Sequence, residues 1–98
     1  MDELDRLRHE LDVVDLRILE AIKSRFDVIR RIARHKQASG VPMMQSDRVS
    51  FVRSRYAAYG LAHGIPDDLL DRIAAELIET ACRLEDELMA NDPAGTQQ

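Results

Sequence analysis

Two cations stand in or beside what is otherwise an apolar helical stripe: Arg8, next to Leu4 and Leu11, and Arg25, at the position expected to be apolar after Ile18 and Ala21. Lys36 follows Arg25 by eleven residues, which in an α-helix is a rotation of about 20° and a rise of about 16 Å. Arg25 and Lys36 therefore point to one side, and their long side chains can reach towards each other across the gap. Such a pair could grip a small anion. An arginine that snorkels and a lysine that favours the helix C-terminus give the same pattern, so spacing alone leaves both readings open.

Other chemistries find little support. There is no nucleophile paired with a base, no glycine-rich phosphate loop and no paired-carboxylate site. Cys82 is the only cysteine, which excludes an internal disulfide, and His9, His35 and His63 are too scattered for a metal site, so no metal is expected. The net charge of −4 is unevenly spread: residues 1–55 hold twelve Lys and Arg against nine Asp and Glu, residues 56–98 two against nine. A basic front half could serve nucleic acid, but a pI near 5.3 and the lack of an aromatic-basic platform favour a small anionic partner instead.

The elements that must position these residues are helices. Four glycines, three prolines and 4% aromatic residues beside 33% charged residues leave little material for turns or strands and predict an all-α fold. Leu4, Leu7, Leu11, Val14, Ile18, Ala21, Val28 and Ile32 recur at helical spacing with no Gly or Pro before Gly40. A helix over residues 3–38 is about 50 Å long, more than a core of this size can cover, so a second chain is expected to cover it and the protein to be a homodimer. Ser39-Gly40-Val41-Pro42 breaks that helix, and Ser46 or Asp47 can cap a second one with Val49, Val52, Tyr56 and Tyr59 on one side, ending near Gly64. Pro66 suits the first turn of a third helix, Asp67 and Asp68 its positive end, and Leu70, Ile73, Leu77, Ala81, Leu84 and Leu88 its apolar stripe. Residues 1–90 read as one domain and 91–98 as a disordered tail. The opening MDELDRLRHE is polar and no stretch nears the roughly 18 apolar residues of a membrane span, so a soluble, cytoplasmic protein is expected.

Leu7-Arg8, Leu11-Asp12, Val14-Asp15, Ile18-Leu19, Arg25, Ile32 and Lys36, followed by Gly40-Val41-Pro42 and Asp47-Arg48, together resemble the α-helical chorismate mutases over about residues 4–90. The resemblance implies three helices per chain in an intertwined homodimer whose long first helices pair. It further implies that Arg8 of the partner subunit completes each site, that Arg25 holds a substrate carboxylate and that Arg48 orients the substrate. Lys36 would reach the ether oxygen and a carboxylate, and Glu85 in CRLEDEL falls where the family has a glutamine or glutamate that hydrogen-bonds the same oxygen. Such enzymes carry out a Claisen rearrangement of a small dicarboxylate, which needs no nucleophile, proton relay or cofactor. The lack of catalytic motifs fits that chemistry.

Two positions depart from the usual pattern. Val49 stands where many chorismate mutases place a glutamate for the ring hydroxyl, and Ala81 where a serine is common. Val41-Pro42-Met43-Met44-Gln45 and Cys82-Arg83-Leu84-Glu85-Asp86 resemble the branch of the family found in antibiotic pathways that acts on 4-amino-4-deoxychorismate, in which an amine replaces that hydroxyl. The amide oxygen of Gln45 could then accept a hydrogen bond from the ammonium. Ordinary chorismate mutase, isochorismate pyruvate lyase and a non-catalytic helical dimerisation module remain the alternatives.

Overall fold

The computed structural model describes residues 2–39 and 46–90. The expectations for residues 40–45, Gln45 included, and for the 91–98 tail lie outside the described residues. Three helices run in chain order: α1, Glu3–Ser39; α2, Ser46–His63; α3, Asp67–Ala90. There is no strand among the described residues.

α1 has 37 residues and is therefore about 55 Å long. Asp2 caps it: the Asp5 N–H, a donor that the first turn leaves without a helical partner, donates to Asp2 Oδ1 at 2.8 Å, and the Asp2 carbonyl accepts the first helical bond, from the Arg6 N–H at 3.1 Å. Glu3 and Asp5 lie in the first turn and Lys36 in the last, charges that complement the helix dipole at both ends. α2 stops at Gly64, whose φ of 69° suits a residue without Cβ, and the Ile65 N–H returns to the Gly60 carbonyl at 3.0 Å as in a Schellman C-cap. Pro66 stands just ahead of α3 rather than inside its first turn, its carbonyl accepting from the Leu70 N–H at 3.4 Å.

α3 packs against both α1 and α2. The core this builds is thin: Ile29, Ala33, Val52, Ala74 and Ala81 are buried, and among the described residues no large side chain is fully enclosed. The front half of α1 runs on past it. Leu4, Leu7, Leu11, Val14 and Ile18 are each 45–59% exposed, although covering one such side chain is worth roughly 1.5–3 kcal/mol. The single chain measures 63 × 30 × 15 Å, the outline of a helix projecting from a small bundle. Among the described residues no helix is long and apolar enough to cross a membrane.

Candidate active site

The three helices line a partly open cavity of 670 Å³. α1 contributes Arg25 and Lys36, α2 Arg48 and Val49, and α3 Ala81 and Glu85. Six of the eight residues marked out in the sequence thus line one cavity. Gln45 is outside the described residues. Arg8 lies on the exposed front half of α1, seventeen residues from Arg25, hence about 26 Å along the helix axis and far from this cavity.

Helical periodicity explains the placements. Lys36 follows the buried Ile29 and Ala33 by seven and three residues, so its stem lies along the face that packs on α3 and its ammonium reaches the cavity. Glu85 follows Ile78, Ala81 and Cys82 by seven, four and three residues, which brings it to the same lining, whereas Asp86 and Glu87 are exposed. Glu85 is the one buried charged side chain among the described residues. Its Oε1 lies 3.0 Å from Lys36 Nζ, with 15% of the lysine and 8% of the glutamate side chain exposed. The ammonium is within ion-pair distance yet off the direction of a hydrogen bond, for Oε1 has no hydrogen-bond partner among the described residues.

The arginines are held differently. Arg25 is half-buried, and no carboxylate lies within ion-pair distance of it or of Arg48 among the described residues. The Arg48 guanidinium carbon sits 5.0 Å from the centroid of the Phe51 ring. Arg25 and Arg48 also border a second cavity of 480 Å³, shared with Phe51, Arg55 and Tyr56. Three cations against one carboxylate leave the main cavity with a surplus of two positive charges, the complement of a dianion.

Ile32, Val52, Ile78 and Cys82 form the apolar wall facing these charges. The site reading of the sequence included none of these four, although Cys82 lies three residues before Glu85 and so on the same helical face. Burial pushes the Cys82 thiol up from its ordinary pKa, and the Glu85 carboxylate adds to the rise while Lys36 opposes it. The thiol therefore stays neutral and behaves as a small apolar group.

Cations and one carboxylate converge on a cavity among three helices, and the chain belongs to the chorismate mutase type II family, whose model matches residues 7–86. Among its relatives, a 4-amino-4-deoxychorismate mutase of Streptomyces venezuelae is 43% identical over 93% of this chain and 88% of its own length. A 4-amino-4-deoxychorismate mutase of Streptomyces pristinaespiralis is 40% identical over 95% of this chain and 72% of its own. No solved structure gives a significant match.

Proposed function

We propose that this enzyme catalyses the Claisen rearrangement of 4-amino-4-deoxychorismate to 4-amino-4-deoxyprephenate, working as a homodimer with shared sites. The observation that carries the reading is the convergence of Lys36 and Glu85 on a cavity also lined by Arg25 and Arg48. In the rearrangement the ether C–O bond breaks as a C–C bond forms within one cyclic movement of six electrons, with no proton gained or lost. Catalysis is then positioning and electrostatics. Arg25 and Arg48 hold the two carboxylates in the compact reactive conformer, removing part of the entropic barrier. Lys36, and Glu85 when it carries its proton, face the ether oxygen as negative charge grows there, an interaction stronger in the transition state than in the ground state.

The exposed stripe of α1 supports the dimer, since a second copy can cover it, and Arg8 of the partner subunit then supplies a further cation. The choice of the amine-bearing substrate rests on the names of the two relatives and on Val49, which lines the cavity and cannot bond a ring hydroxyl. Gln45 is the candidate acceptor for the amine. Ala81 lines the cavity without offering a polar side-chain group.

Incubating the protein separately with 4-amino-4-deoxychorismate, chorismate and isochorismate, with products identified by mass spectrometry, tests the assignment. The amine-bearing substrate should give the highest kcat/KM, and Val49→Glu should move the ratio towards chorismate. A tenfold preference of the wild type for chorismate would reject the substrate. Inactivity on all three would reject the reaction.

A further inference from the structure

Resting on the proposed role of Arg48 in holding a substrate carboxylate, we infer that Phe51 is a positioning residue that presents the Arg48 guanidinium to the substrate by stacking beneath it. Arg48 lies in the first turns of α2, exposed and bordering both cavities. A side chain this long and this accessible samples many rotamers unless something holds it. No carboxylate among the described residues lies within ion-pair distance of it; its guanidinium sits over the ring of Phe51, 5.0 Å from guanidinium carbon to ring centroid. The two residues are three apart on one helix and so meet on one face.

The kind of contact matters. A carboxylate partner would occupy the in-plane N–H donors of the guanidinium, the same donors that a substrate carboxylate needs for bidentate recognition. A ring attracts the cation through its π face and is a far weaker acceptor than a carboxylate, so it restricts where the group sits while leaving its donors to be claimed by the stronger acceptor, the substrate carboxylate. Phe51 is itself 52% exposed in the single chain. Its partner across the stack is a cation that lines the candidate active site.

The test is a double-mutant cycle read in KM and kcat for 4-amino-4-deoxychorismate, with circular dichroism and sedimentation on every variant. Phe51→Leu should raise KM by about two- to fivefold with little change in kcat, the factor to which a cation–π contact at an exposed site corresponds. Phe51→Tyr and Phe51→Trp, which keep an aromatic face, should restore the wild-type KM. In an Arg48→Met background Phe51→Leu should have no further effect, because there is no guanidinium left to orient. An equal effect of Phe51→Leu in both backgrounds, or failure of Tyr and Trp to rescue, would show that Phe51 acts through packing and overturn the inference. Should Arg48→Met raise KM while Phe51→Leu does nothing, the inference fails and the proposed site stands. An Arg48→Met protein with unchanged kinetics removes Arg48 from the site and overturns both.

Discussion

Lys36 Nζ and Glu85 Oε1 stand 3.0 Å apart across the α1–α3 contact, with little of either side chain in solvent. They form an ion pair in a cavity whose other charged lining residues, Arg25 and Arg48, are cationic. Deleting one member of such a pair strands a buried charge at a cost of about 3–5 kcal/mol, whereas replacing both by apolar groups is often neutral. Lys36→Met should therefore lower Tm, and Lys36→Met/Glu85→Met should recover most of that loss. Activity should not follow stability: both proteins should fall by at least about 100-fold in kcat/KM, the effect of removing one electrostatic donor from a transition state. Glu85→Gln, which keeps a donor, should retain far more activity than Glu85→Met. Equal losses in those two variants would remove Glu85 from the ether oxygen.

Arg8 is too far along α1 to enter the cavity of its own chain. If it serves the other subunit, Arg8→Ala and Arg25→Ala proteins should each be nearly inactive, and mixing them should restore activity. After full subunit exchange, half of the dimers are mixed and each mixed dimer has one intact site of two, so about a quarter of wild-type activity is expected. Exchange verified by mass spectrometry without recovery of activity would place both arginines in one site or outside it.

The neutral Cys82 thiol gives a prediction in pH. Because burial, and then the Glu85 carboxylate, push its pKa up, less thiolate is present near neutral pH than in an unperturbed cysteine. Iodoacetamide should alkylate Cys82 more slowly than free glutathione at pH 8, and the rate should go on rising with pH above the range in which glutathione levels off. Saturating substrate should slow it further, since the thiol lines the same cavity. Alkylation as fast as that of glutathione, unaffected by substrate, would mean that the thiol faces open solvent.

Gly60 is where α2 comes closest to the chain that leads into α3. A Cβ there would lie 2.7 Å from Leu70 Cδ1 and 3.2 Å from the Ile65 carbonyl oxygen. The leucine tip can swing aside, but the carbonyl is backbone of Ile65, whose N–H is fixed by the bond to Gly60 that ends α2. Gly60→Ala should destabilise by about 1–3 kcal/mol through overpacking, read as a lower Tm at fixed protein concentration. An unchanged or higher Tm would show that the gain in helix propensity outweighs the clash.

Much of the arrangement is local and was legible in the sequence. The run from Leu4 to Ile32 at helical spacing, unbroken before Gly40, set α1 at its full length, because each turn of a helix is fixed by residues three and four apart. The same arithmetic put Arg25 and Lys36 on one side, and Glu85 beside Ile78 and Ala81. Pro66 stands one position earlier than expected, at the cap of α3, where its carbonyl accepts the first helical bond, from the Leu70 N–H.

Periodicity says which residues share a face, but not what that face meets. Only the packing of α3 onto α1 buried Glu85 against Lys36 and turned two separate stripes into the two sides of one cavity. Packing also decided that Cys82 and Val52 belong to its wall. The sequence assigned the charges to helices; their pairing depended on distances between chain segments up to about fifty residues apart, which no local pattern encodes.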